Sequence, residues 1–391
     1  MNRTLLFISL FSILTLVSCQ SSPKNEAGKQ NEVELVAEKQ LAFPLDEQTY
    51  YLSKSMFQFE ENGKEYLHFE NTRKSLYDIV IFDIENKQIA KRIPLHKTGP
   101  NGLPAVYGSR PSPDSKQILI SQNNIGRLST INNQGEVVHN YPVKTPEGRF
   151  TTFFFCSYYN APAFVKDSCI FLNQGIFKPN MKREDWPQTH MFASQNLKTG
   201  KFEWVPIFYP PIFKEEYENI DGGYGFSYDY NYKESRLVCG FFGYDSLMVT
   251  DDLKHIRWYN AKSKYLKSMK PKLGNAMAGI NSIIEFCEAP MYWHIMYDKY
   301  RDVYYRFAEM PYKLAPNESP YDEPKGKEFS VIVLNADFEI IGDTKFPGKK
   351  YFYKMSFVGK EGLYISENNL ANPQFDENKL VFTCFKIKNV P

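Results

Sequence analysis

Apolar and polar positions follow two regimes along this chain. Leu5–Val17 is an uncharged run whose polar members are Ser9, Ser12 and Thr15. From Val33 onward the pattern changes to short segments of alternating apolar and polar side chains, separated by turns rich in Asn, Asp and Gly. A period of two marks a strand with one buried face, and those turn residues tolerate the tight reversals between strands. Sustained helical periodicity is nearly absent, so the chain reads as all-β.

The alternation is organised as a repeat. A strand, a tight turn and a second strand recur at Tyr77–Leu95, Gly126–Val143, Gln195–Ile207, Asp245–Asn260 and Phe329–Phe346. Another strand pair precedes three of these, at Ser112–Ile120, Phe164–Phe171 and Tyr232–Val238. Two hairpins per unit, repeating every ~40–50 residues, is the pattern of propeller blades. Lys262–Glu288 and Met310–Lys327 read as insertions. The last unit has three strands (Tyr351–Val358, Gly362–Glu367 and Leu380–Lys388), while Val33–Phe43 is a spare strand near the other end. Pairing the two would close a ring and remove both open edges. The expected fold is a single β-propeller over 33–391, six-bladed, closed by the N-terminal strand in the last blade. Five or seven blades, or a pair of β-sandwich domains, are the alternatives.

The early apolar run follows Arg3 and has the layout of a secretory signal peptide. It is shorter than the ~20 residues of a membrane span. It ends Leu16-Val17-Ser18-Cys19, which resembles a bacterial lipobox. That resemblance implies removal of residues 1–18 and acyl chains on Cys19, the partner there being a membrane. One chain holds weakly, and several on one residue anchor stably. Residues 19–32 are mostly polar and read as a flexible tether. Gln20 stands where an Asp would, by the same resemblance, favour the inner membrane, so the outer membrane is expected, with its periplasmic or outer face open. The alternative is a soluble secreted protein with an incidental cysteine.

Composition narrows the partners. The formal charge of +2 over 391 residues suggests neither nucleic acid nor an electrostatically bound membrane surface. The 31 Phe and 27 Tyr suit strands and wedge-shaped packing. Beyond Cys19 lie Cys156, Cys169, Cys239, Cys287 and Cys384, all in apolar settings. Their odd number leaves at least one free thiol. They read as small hydrophobes, with disulfide pairing unassigned and no zinc-type spacing.

One short element adds a family resemblance. His96-Lys97-Thr98-Gly99-Pro100-Asn101-Gly102 follows the first hairpin. It resembles the Gly-Pro-Asn-Gly element of a domain-of-unknown-function family among the six-bladed propeller lipoproteins of Bacteroidetes. It is more loosely similar to a Gly-Pro-Gly-Glu element of their propeller relatives, from which it departs at Asn101 and Leu103. The resemblance implies fold and cellular address rather than chemistry. Physically the element is a turn, read either as a blade-to-blade crossing or as part of a ligand-facing loop through Asn101.

Candidate chemistry is sparse. The six histidines (68, 96, 139, 190, 255 and 294) are dispersed and lack metal-ligand spacing. No nucleophile elbow or P-loop is present. Asp221–Gly225 is glycine-rich but lacks the P-loop Lys. Two aromatic stretches stand out, Tyr224–Tyr232 and Pro290–Asp298. Their plain reading is packing between blades. Their functional reading is a platform in which Tyr224, Tyr228 and Trp293 stack on a sugar ring or peptide aromatic. Asp229, Asn231 or His294 would add directional hydrogen bonds, and Arg110 an anion contact. The expected function is non-catalytic binding of a glycan or protein by a lipoprotein, without cofactor or metal. The alternative is a hydrolase or lyase acting on polysaccharide or a lactone.

Overall fold

The computed structural model describes residues 32–390 apart from 72–76, 113, 123–125, 144–151, 156, 159–160, 177–182, 213–224, 268, 270–279, 317 and 320–324. Cys19, Cys156 and Tyr224 therefore lie outside the described residues.

Six antiparallel sheets form the blades of a propeller. Blade 1 comprises Met56–Glu61, Lys64–Asn71, Asp78–Asp83 and Gln88–Pro94. Blade 2 comprises Gly108–Pro111, Ile118–Gln122, Arg127–Ile131 and Val137–Pro142. In blade 3, Phe164–Lys166 and Thr152–Phe155 both pair with Cys169–Ile176, followed by Phe192–Asn196 and Phe202–Trp204. Blade 4 runs Phe226–Asn231, Arg236–Phe241, Ser246–Thr250 and Arg257–Asn260. Blade 5 runs Met291–Asp298, Val303–Glu309, Phe329–Leu334 and Ile340–Phe346.

Blade 6 is composite. Phe352–Gly359, Gly362–Ser366 and Lys379–Asn389 come from the chain's end, and Val33–Pro44 supplies the outer strand. The pairing runs from Val33 opposite Asn389 to Pro44 opposite Lys379, with one bulge between Ala37 and Lys39. This is the closure expected from the sequence. The five recurring hairpins are the outer halves of blades 1–5. A helix, Ile280–Glu288, occupies part of the insertion between blades 4 and 5.

Six hydrophobic clusters, one between each pair of neighbouring blades, hold the ring. Side-chain alternation within single strands makes this possible. In Ile118–Gln122, Ile118 and Ile120 pack toward blade 1, whereas Leu119 packs toward blade 3. In Val303–Glu309, Val303, Tyr305 and Phe307 face blade 6, and Tyr304 and Ala308 face blade 4. The ring closes through Leu41, Phe43 and Phe357 of blade 6 against Met56, Phe69 and Phe82 of blade 1. Wedges of this shape take large rings. Phe164 lies between Phe171 at 4.6 Å and Tyr230 at 4.3 Å, both nearly parallel to it.

Because both faces of the middle strands are covered, their buried residues do not alternate with exposed ones. Val303–Glu309 and Phe329–Leu334 are buried throughout. The outer strand Gln88–Pro94 is largely exposed. Cys239 and Cys384 are fully buried and Cys169 and Cys287 half-buried, and none of the four is joined in a disulfide. Burial pushes the Cys239 thiol well above its usual range.

The Gly-Pro-Asn-Gly element is a crossing between blades 1 and 2. Gly99 adopts φ +85°. A Cβ on Gly102 would sit 2.9 Å from the Gly99 carbonyl, so the turn closes only on glycine there. The Asn101 side chain accepts a hydrogen bond from the Val137 backbone at 3.0 Å. It thereby ties the crossing to the outer strand of blade 2.

Candidate functional site at the channel mouth

A cavity of about 430 Å³ opens at the centre of the ring. Its wall draws on Gln58, Arg110, Asp229, Met296 and Ser356 of blades 1, 2, 4, 5 and 6, and on Pro162 of the short ladder of Ser157–Tyr158 with Ala161–Pro162 that leads into Phe164 of blade 3. An adjoining groove of about 300 Å³ shares Phe57, Arg110, Tyr232 and Lys299 with it. The site exists because each inner strand ends beside the axis, so residues far apart in sequence converge.

Arg110 ends the inner strand of blade 2. Its guanidinium donates to the Ala163 carbonyl and lies over the Phe57 ring, 5.2 Å from the centroid. Across the cavity, Asp229 accepts the Tyr230 N–H at Oδ1 and the Tyr297 N–H at Oδ2, each at 2.8 Å. Burial raises the Asp229 pKa, opposed by the Tyr297 N–H and the field of Arg110.

The rim is tied by an ionic network spanning blades 5, 6 and 1. Glu60 accepts from Tyr300 at 2.7 Å and Lys299 at 2.9 Å, and pairs with Lys360 at 3.1 Å. Burial alone would raise the Glu60 pKa, but these three donors hold it down at about 2. Gln58 donates to Tyr300 and to Glu65 at 3.0 Å. Arg301 donates to the carbonyls of Gly359 and Lys360.

Of the residues singled out in the sequence, the structure brings Arg110 and Asp229 together at the cavity. Tyr228 is elsewhere, fully buried between blades 3 and 4 with its hydroxyl on the Ala161 carbonyl at 3.3 Å. Asn101 belongs to the crossing described above. Trp293 and His294 form a two-residue bulge opposite Phe307. Trp293 stacks on Phe242 at 4.7 Å with the Lys354 ammonium 3.9 Å from its ring. His294 is buried, and desolvation followed by the Lys354 charge pushes its pKa down to about 3. Sequence reasoning did not single out Phe57, Gln58 or Lys299, which sit in ordinary strand and turn contexts.

A serine, a histidine and a glutamate also meet between blades 1 and 2. His68 Nε2 and Ser109 Oγ share a hydrogen bond of 2.8 Å. Burial raises the Glu70 pKa to about 6 against hydrogen bonds from Ser109 and Ser55. Burial likewise lowers His68 to about 3. Ser109 and His68 are wholly inaccessible and Glu70 is 3% exposed, so this is a packed polar relay closed to substrate. Among the described residues no group of three or more His, Cys, Asp or Glu is placed to hold a metal ion. No helix among them is long and apolar enough to cross a membrane.

The fold and its axial cavity place the chain in the class of six-bladed β-propellers. More narrowly, it matches the family described as Domain of unknown function (DUF4221) over residues 32–345, and it belongs to that family. A crystal structure of a family member from Bacteroides vulgatus is 85% identical, with a TM-score of 0.89 over 93% of this chain and 100% of that one. A protein of Bacteroides fragilis described as exported shares the fold at 8% identity, with a TM-score of 0.55 over 94% of this chain and 98% of that one. No curated protein matches the chain.

Proposed function

We propose that this protein is a cell-envelope lipoprotein, held in the outer membrane by acyl chains on Cys19, whose propeller binds a glycan or a protein partner without transforming it. The observation that carries the binding reading is the axial cavity where inner strands of five blades meet the strand leading into blade 3, with Arg110, Asp229 and aromatic rings on its wall. A mostly preformed concave site with a few placed polar groups is what small-ligand binding requires. Carboxylate-driven glycoside cleavage needs two acids flanking the bond; among the described residues this wall carries the carboxylate of Asp229, and the Glu60 of the adjoining groove is tied up by Lys299, Tyr300 and Lys360. The envelope reading is supported by the leader, by the lipobox ending in Cys19 and by the exported Bacteroides fragilis protein of the same fold.

Two measurements test the proposal. Cys19→Ala should abolish incorporation of labelled fatty acid, and continued labelling would remove Cys19 as the anchor. A thermal-shift screen of glycans should raise the melting temperature of the purified protein by mass action. Arg110→Met should abolish that rise, and a rise that survives the change would move the ligand away from the channel.

A further inference from the structure

The cations on the cavity wall are not equivalent. Lys299 is paired with Glu60 at 2.9 Å and Lys233 with Asp302 at 2.6 Å. A guanidinium carries five N–H donors. Among the described residues, the hydrogen-bond acceptor for Arg110 is the Ala163 carbonyl. Arg110 therefore presents unused donors in a planar fork suited to a carboxylate. With Lys233 and Lys299 held by Asp302 and Glu60, Arg110 is the wall cation left for a ligand, and its fork favours an anionic group.

The remaining features suit hydroxyls and a ring. Each oxygen of Asp229 takes one backbone N–H and retains a lone pair for a ligand O–H. Tyr230 lines the cavity, and its buried hydroxyl has no partner among the described residues. Tyr232 packs edge-on against Tyr230 at 4.9 Å. It is 47% exposed at the rim, a large aromatic surface left to solvent beside a polar cleft. Sugar rings use such aromatic faces.

We infer that the channel mouth takes the uronic-acid end of an acidic saccharide, its carboxylate on Arg110, its hydroxyls on Asp229 and its ring against Tyr232. This inference rests on the channel-binding reading above and adds the charge and class of the ligand.

Isothermal titration of the purified protein with trigalacturonate, trigalactose and tri-aspartate tests it. Trigalacturonate should bind at least about tenfold more tightly than trigalactose. Arg110→Met should erase that difference, and Arg110→Lys, which keeps the charge without the fork, should retain part of it. Should Arg110→Met fail to fold, the Lys variant and the exposed Tyr232→Ala carry the same test. Equal binding of the two saccharides, weakened by Tyr232→Ala, would overturn the acidic assignment and leave the channel reading standing. Preference for tri-aspartate would overturn the saccharide class. Failure of all three probes to bind would overturn this inference, while the glycan screen above judges the channel reading separately.

Discussion

Arg306 offers the sharpest test of how the ring is held. It lies on the second strand of blade 5, is 1% exposed, and reaches into blade 4. Its guanidinium donates to the carbonyls of Asp245 at 2.5 Å, Tyr244 at 2.6 Å, Ala261 at 2.9 Å and Phe241 at 3.3 Å. It also stacks 3.5 Å from the Tyr292 ring centroid. Arg306→Met keeps much of the volume and removes every donor. Leaving a buried acceptor unmet costs ~1–3 kcal/mol, and hydrogen bonds to a charged donor contribute ~1.5–3 kcal/mol each, so the four together contribute about 6–12 kcal/mol gross. Against this stands the arginine's own desolvation, which lowers its pKa from 12.5 to about 10. A drop of that size corresponds to about 3 kcal/mol. The net loss on substitution is therefore about 3–9 kcal/mol, its lower part coinciding with the ~3–5 kcal/mol for breaking one side of a buried charged network. Urea unfolding of the purified protein measures it, with Arg306→Lys falling between the two. A methionine variant within about 1 kcal/mol of the parent would refute the idea that this fork joins blades 4 and 5.

Two other expectations follow from the same structure. Glu70 has its pKa raised from 4.5 to about 6 by burial. The folded state thus holds a proton that the unfolded state has lost, and stability falls as pH rises from 4.5 through 6, by about 2 kcal/mol. Glu70→Gln should flatten that segment of the pH–stability curve, and an unchanged slope would assign the effect elsewhere. Deleting residues 33–44 removes the outer strand of blade 6 and uncovers Lys379–Asn389 as a long edge. Size-exclusion chromatography should then show aggregation in place of the parent species, and a well-behaved, equally stable variant would contradict closure by this strand.

The outer hairpins were legible because a blade's outer strands are wetted on part of their surface. Gln88–Pro94 keeps the polar–apolar contrast that marks a strand and its turns. Middle strands such as Val303–Glu309 are covered by a blade on each side and lose that contrast. Val303–Glu309 accordingly went unrecognised in the sequence, where preceding strands were read only at Ser112–Ile120, Phe164–Phe171 and Tyr232–Val238. The two-sided closure of blade 6 could be inferred by counting, since three strands at one end and one at the other complete a fourfold unit.

The site was legible only in part. Tyr228 and Asp229 are neighbours in one strand, yet one fills the wedge toward blade 3 and the other faces the axis. Strand parity decides between them, and the absolute parity of a strand buried on both sides leaves no trace in its residue types. Trp293 and His294 show the same point, because the bulge opposite Phe307 resets the alternation and sends both away from the cavity. Arg110 stood out as a charge in a strand setting, but its usefulness depends on Phe57 and Ala163 from other blades.

By itself, then, the sequence determined an all-β repeat, six units and a closing N-terminal strand. These are properties of local period, turn chemistry and counting along the chain. Only the tertiary structure decided which side chains share the axis. Convergence at the centre of a ring depends on the facing of six separate strands, and no local stretch of sequence encodes that relation.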